Sequence, residues 1–345
     1  MTVVLLVVVS VLMINAQCPS IPRRDSPPQG VYDLSPGDID VVMGIGDSII
    51  TGYGIDNLLL ESRSCAFSIG DGQGCDDLLT FPRLLQIFNP QVVGASKGTH
   101  FVQLQGFGHN EEIDNMNAAQ TGSRAQDFES QVVYLAKRFQ ALKIDPKNVW
   151  KHVTVLIGSN NLCHICENDT SGNSPDAFEK AIRQGLTSLY QTLPKTFVSL
   201  VSFPKFTPLE HVQTDECKLG HALIYAECEC VFHDPSDEKR KIMDDAVEQY
   251  NARLDKIAAE WTAQGLKDFA VVNQPFLKEQ VFPSMEWFSE LDCFHPSKKA
   301  HQALAVNLWN SLFVSPTEKS KVADLNITNV HCPTESSRFK VSDQF

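Results

Sequence analysis

The chain has 345 residues, with 42 Asp and Glu against 29 Lys and Arg, and a formal net charge of −13. It is 43% hydrophobic and 21% charged, the composition of a chain that buries a core rather than of a disordered one. The acidic balance, with no Lys/Arg run to override it, argues against nucleic acid and against electrostatic capture by anionic membranes.

The N-terminal segment Thr2 to Ile14 is almost wholly apolar and uncharged. It is shorter than the roughly 20 residues that span a bilayer. Ala16 of Ile14-Asn15-Ala16 offers a small residue for cleavage, so Met1–Ala16 reads as a secretory signal peptide. A buried N-terminal strand or helix is the alternative. Residues 17–38 carry Pro, Ser and Arg and read as a surface lead-in.

Ile39–Ile45 is a buried-strand candidate that runs into Gly46-Asp47-Ser48, and Gln91–Gly94 is a weaker strand. Ser123–Lys143 has helical periodicity, with Phe128, Val132, Leu135, Phe139 and Leu142 on one face and Ser123 available as its cap. Val153–Ile157 is a strand that ends at Gly158-Ser159-Asn160-Asn161. Asp176–Leu193 is a helix stopped by Pro194, and Phe197–Phe203 a strand stopped by Pro204. Residues 207–239 are polar and Cys-rich and read as an insertion held by its own bridges. Asp237–Gln264 is a long amphipathic helix ended by Gly265, Phe269–Asn273 a strand, and Lys298–Phe313 the last helix.

Strands alternating with helices predict an α/β fold around a mainly parallel sheet, covered on both faces. No repeat or linker divides the chain. One domain over 39–314, with a C-terminal tail over 315–345 packed on it and tied by Cys332, is the expected organisation.

Ten cysteines are too few for a small disulfide scaffold and many for a cytosolic protein. Secretion makes them disulfide candidates, with the pairing open. Cys163-His164-Ile165-Cys166 has no second CxxC to complete a zinc site, and no His-x-x-x-His pair encloses an acid, so neither a metal nor another cofactor is expected. The sequons at Asn168 and Asn326 suit a secreted surface. Without a second long apolar stretch or an apolar C-terminus, no transmembrane or lipid anchor is expected.

Four short motifs carry chemistry. Ser48 in Gly46-Asp47-Ser48 follows a strand and opens a helix, where an exposed hydroxyl meets the positive end of the helix dipole. Asp47 or Ser48 could equally serve as a helix cap. Asp292 stands three residues before His295, close enough to fix its tautomer and leave the other ring nitrogen for a serine. Alternatively, Asp292 or Ser297 caps the last helix. Asn160 at a strand end and Gly122 before the Ser123 helix could join the Ser48 N–H in an oxyanion hole, or serve only in turns.

Taken in order, Gly-Asp-Ser, Asn-x-x-x-x-Gly from Asn117 to Gly122, Gly-x-Asn and Asp-x-x-His resemble the GDSL/SGNH hydrolase family. Within it they are similar to the animal phospholipase B branch, from about Val41 to Cys332. Supporting stretches include Phe67–Gly72, Asn117–Arg124, Ile157–Glu167, Phe269–Phe276 and Asp292–Leu312. The resemblance implies a three-layer α/β/α, flavodoxin-like fold. It implies Ser48 as nucleophile, His295 as general base and acid, and Asp292 as its orienter. The implied oxyanion donors are the Ser48 N–H, the Gly122 N–H and the Asn160 side chain. Many relatives carry Asp where this chain has Asn161, next to the last donor.

The implied substrates are phospholipids and lysophospholipids. Small esters, including acetylated sugars, are the alternative within the same chemistry, and a secreted lipid-binding protein without activity is the alternative outside it. The apolar stretches Val281–Phe288 and Phe101–Phe107 could line an acyl pocket. Core positions are the expectation for most of them, because Phe is commonly buried.

Overall fold

A computed structural model describes residues 18–19, 21–76, 78–167, 171–223, 228–232 and 236–344. The expected signal peptide and the Asn168 sequon lie outside them. Four parallel strands form the central sheet: β1 (Ile39–Gly46), β2 (Trp150–Leu156), β3 (Thr196–Val201) and β4 (Phe269–Gln274), in the order β1-β2-β3-β4. Beyond β1 the sheet is extended by single bridges at Val93 and Asn117. The weak strand expected at Gln91–Gly94 is therefore reduced to one pairing, in which Val42 N–H donates to Val93 and Val93 N–H to Asp40.

Alternation along β2 defines the layers. Lys151 points to one face, where its ammonium lies 5.7 Å from the Phe139 ring of the Phe128–Ala141 helix. That helix packs with the Pro175–Thr192 helix, which packs in turn with the Asp237–Ala263 helix. His152 points to the other face, 4.4 Å from the ring of Phe81, which leads the Phe81–Gln86 helix. Phe81 also meets Trp309 of the Lys298–Ser311 helix. Helices thus cover both faces of a parallel sheet, giving the three-layer α/β/α fold.

β2 begins three residues earlier than the apolar pattern indicates. Lys151 is fully buried, but its ammonium donates to the carbonyls of Pro146 (2.6 Å) and Val149 (2.8 Å). His152 Nε2 meets Ser199 Oγ of β3 at 2.9 Å. Lys151 is satisfied by carbonyls of the turn that leads into β2, whereas His152 has one partnered ring nitrogen and leaves Nδ1 buried without a hydrogen bond among the described residues.

Three other expectations are corrected. Ser123 does not cap the first long helix: its hydroxyl donates to Gln105, and a 3₁₀ turn at Ala125–Asp127 intervenes, where Asp127 accepts the Arg124 N–H. Leu142 falls past the end of the helix and is exposed. The Cys-rich segment is not closed by its own bridges. Cys217 joins Cys293, Cys228 joins Cys163, and Cys230 joins Cys166, so the segment is stitched to the body at three points. The remaining bridges are Cys18–Cys332, which ties the C-terminal segment to the lead-in, and Cys65–Cys75. Among the described residues no helix is long and apolar enough to cross a membrane.

Gly185, in the Pro175–Thr192 helix, is required by close approach: a Cβ there would lie 2.2 Å from the ring of Phe128. Gly185→Ala gains about 1 kcal/mol of helix propensity. Overpacking should outweigh it, costing about 1–3 kcal/mol, and lower the midpoint of thermal unfolding followed by circular dichroism.

Candidate active site

The carboxyl ends of β1 and β2 are adjacent because Gly46 pairs with Leu156. Ser48 opens the one-turn helix Ser48–Thr51 after β1, and Asn160 lies in the Ser159–Cys163 helix after β2. This is the crevice where parallel α/β sheets bind ligands.

His295 arrives from the opposite end of the chain. Its Nε2 lies 2.8 Å from Ser48 Oγ, and its Nδ1 lies 2.7 Å from Asp292 Oδ2. Asp292 is fully buried, and its other oxygen accepts the N–H groups of Phe294 and His295, both at 3.0 Å. Burial alone would raise the Asp292 carboxyl. The adjacent His295 and these hydrogen bonds outweigh burial and hold it below its ordinary value. The acid therefore stays ionised beside the imidazole it orients.

The short Asp-x-x-His loop is fixed from several sides. Cys293 sits between the two residues at φ 56°, is bridged to Cys217, and accepts a hydrogen bond from Gln213 through its carbonyl. Ser289 N–H donates to the His295 carbonyl, and Ser289 Oγ donates to Gly54. Gly54 has no room for a side chain, since a Cβ would lie 2.9 Å from Asp292 Oδ2. Tyr53 meets the His295 ring edge-on at 4.8 Å. Neither Tyr53 nor Gly54 was singled out from the sequence. The Gly52-Tyr53-Gly54 run just after the serine motif is the signal that could have found them.

The three expected oxyanion donors are linked. Asn160 Nδ2 donates one hydrogen to Ser123 O at 2.9 Å, next to Gly122, and retains a second. Gly122 adopts φ 82°, a conformation that favours glycine. Gln131 ties the Gly122 turn to β1: its carbonyl accepts Gly46 N–H, and its amide donates to Gly46 O and Ser123 Oγ. Asn161 fits its position as an amide. Its Nδ2 faces the acceptors Gln126 Oε1, Gly172 O and Asn173 Oδ1, while its Oδ1 accepts Ala125 N–H. A carboxylate there would confront three acceptors.

Beside Ser48 and His295 opens an apolar cavity walled by Phe203, Phe206, Leu209, Phe282 and Phe288. The Val281–Phe288 stretch thus lines the cavity at Val281, Phe282 and Phe288, while Trp287 enters a separate buried cluster. Phe101, Leu104 and Phe107 are exposed, contrary to the expectation of core positions. The Phe203–Leu209 wall was missed from sequence, because its residues follow a strand in a segment dominated by polar and Cys signals.

The family model for GDSL-like lipase/acylhydrolase proteins matches residues 42–308. This chain belongs to that family of carboxylic ester hydrolases. It is 30% identical over 330 residues to mouse "Phospholipase B1, membrane-associated", covering 90% of this chain and 21% of that protein. It is also 30% identical over 341 residues to the human protein of the same name, covering 93% and 22%. The chain therefore spans about a fifth of the length of these relatives. Among solved structures, an acetyl-xylooligosaccharide esterase from Geobacillus Stearmophilus aligns with a TM-score of 0.42 at 16% identity, covering 80% of this chain and 95% of that one.

Asp47 carries a cost next to the serine. Its Oδ1 accepts the Ile49 N–H, as a helix cap does, but complete burial raises the carboxyl to about 6. The folded state therefore holds this proton to higher pH than the unfolded chain, and stability is lost as pH rises from 3.8 through about 6. Asp47→Asn keeps an accepting oxygen and does not titrate. Its stability gain over the native protein should grow across that window and level off above it, as measured by denaturant unfolding at several pH values.

Proposed function

We propose that this chain is a serine ester hydrolase that removes fatty acyl chains from phospholipids and lysophospholipids through an acyl-enzyme on Ser48. The observation that carries this reading is the Ser48–His295–Asp292 hydrogen-bonded series opening onto an apolar cavity. A serine is a weak nucleophile unless a base takes its proton, and His295 Nε2 is within reach to do so. Ser48 Oγ attacks the ester carbonyl as the proton passes to His295. Asp292 stabilises the resulting imidazolium and holds its orientation. The Ser48 N–H, the Gly122 N–H and the second hydrogen of Asn160 stabilise the oxyanion. His295 returns the proton to the departing alcohol, and water then releases the fatty acid by the same steps.

The apolar wall favours a long acyl chain over an acetyl group, since burying each CH₂ contributes about 0.8 kcal/mol. The relatives named phospholipase B1 support a lipid substrate. Five disulfides and an exposed Asn326 sequon support a secreted, glycosylated protein, with Asn168 as a second acceptor and Met1–Ala16 as the signal. We extend the reading to one hydrolase domain over 39–314, carrying the 207–239 insertion and followed by the tail.

Asn160→Ala should lower kcat by about 100- to 1000-fold, and Ser48→Ala by more. A serine-directed phosphonate should label Ser48 in the folded protein. If Ser48→Ala keeps the native rate, or the phosphonate leaves Ser48 unmodified, the mechanism is wrong. Phe282→Ala should raise KM for a long-chain lysophospholipid and leave an aryl acetate nearly unaffected. Equal effects on both esters would remove the acyl role of this cavity.

A further inference from the structure

Behind the active site lies a buried charged cluster that the acyl-transfer steps do not use. Glu61 and Arg63, both fully buried, face each other: Arg63 Nε and Nη2 donate to Glu61 Oε2 at 3.0 and 2.7 Å. Asp114, also fully buried, lies 3.3 Å from Arg63 Nε. His100 Nε2 meets Asp114 Oδ1 at 2.7 Å, while its Nδ1 meets the Phe101 carbonyl at 2.6 Å. Both ring nitrogens thus face oxygen acceptors, an arrangement that the doubly protonated ring satisfies. His109 Nδ1 meets the other Asp114 oxygen at 3.1 Å. With His100 charged, Glu61, Arg63, Asp114 and His100 balance, which is how a buried ionic cluster is tolerated.

This cluster reaches the active-site loop at two points. The remaining Arg63 nitrogen, Nη1, donates to Ala119 O at 3.0 Å. The remaining Glu61 oxygen, Oε1, accepts the Thr121 hydroxyl at 2.6 Å. Thr121 Oγ1 also lies 3.3 Å from Thr51 Oγ1, and the Thr51 hydroxyl donates to the Ser48 carbonyl at 2.9 Å. The contacts therefore bracket Gln120, end at Thr121 immediately before Gly122, and continue to the turn that carries Ser48. Gly122 itself, at φ 82° and without a Cβ, adds little intrinsic stiffness to the loop.

We propose that Glu61, Arg63 and Thr121 are positioning residues, which lock the Ala119–Gly122 segment so that the Gly122 N–H is aimed at the oxyanion. The inference rests on the reading of Gly122 as an oxyanion donor. A buried ion pair suits this task because it is directional and its partners have no alternative solvation. None of the three lines the apolar cavity beside Ser48. Their effect passes through the placement of one backbone N–H, which matters more in the transition state than in substrate binding.

The test uses the full chain with Thr121→Val, which keeps the volume and removes the hydroxyl, and Thr121→Ser, which keeps the hydroxyl. An aryl acetate, whose acyl group is too short for the apolar cavity, reports kcat and KM. An alkylboronic acid, which forms a tetrahedral anion on the serine, reports binding of an oxyanion mimic. Thr121→Val should lower kcat by about 10- to 100-fold with KM within about twofold, and weaken the boronate by a similar factor. Thr121→Ser should restore both. Thr51→Val, one contact further away, should give the same pattern in weaker form and provides a second arm should Thr121→Val misfold. Native kcat and boronate affinity in either valine variant that folds would overturn the proposal. So would a loss of kcat without weaker boronate binding, or a failure of Thr121→Ser to recover. Phosphonate labelling of Ser48 in the same samples separates this outcome from failure of the serine mechanism itself.

Discussion

The pairing of Gly46 with Leu156 sets the geometry on which everything at the site depends. A parallel register slipped by one residue would turn each strand's side chains to the other face. It would also separate the two loops that follow. Because the register is held along the shared length of β1 and β2, Ser48 and Asn160 emerge side by side. The register is in turn secured by buried side chains on both faces of the sheet, including Lys151, which packs over Phe139 on one face, and His152, which packs on Phe81 on the other. Sheet packing and site geometry are therefore one constraint.

The site also needs parts of the chain that no local preference would bring together. His295 reaches Ser48 across 247 positions of sequence. A net hydrogen bond contributes only about 1 kcal/mol, so that contact cannot hold the Asp292–His295 loop by itself. The loop is instead fixed by the Cys217–Cys293 bridge, by Ser289 and by the close approach of Gly54. The Cys-rich segment consequently matters for the shape of the site as well as for the stability of the surface. Gln131 performs the corresponding task for the Gly122 turn, using both ends of one amide.

Much of the fold was legible because its strands are short apolar runs and its helices carry 3.6-residue periodicity. The four main strands and the long helices lie where those patterns put them, within a few residues. The failures share a cause. Lys151 and His152 look polar in sequence yet are buried, and Phe101 and Phe107 look like core yet are exposed, because burial depends on what packs against a residue. The triad candidates were legible through spacing: an offset of three residues from Asp292 to His295 suffices for an imidazole to meet its carboxylate. Glu61, Arg63 and Thr121 had no such signal, since their relation to Gly122 arises from long-range packing.

The sequence by itself determined an α/β architecture, the family, and the residues Ser48, Gly122, Asn160, Asp292 and His295 as candidates. These follow from local periodicity and from motifs whose chemistry is carried by residue type. Tertiary structure alone decided the disulfide partners, the Phe203–Leu209 wall of the cavity, the amide environment of Asn161 and the cluster behind the Gly122 loop. Each depends on distances between segments far apart in the chain. Such distances are set by how layers pack and strands register, and no short stretch of sequence records them.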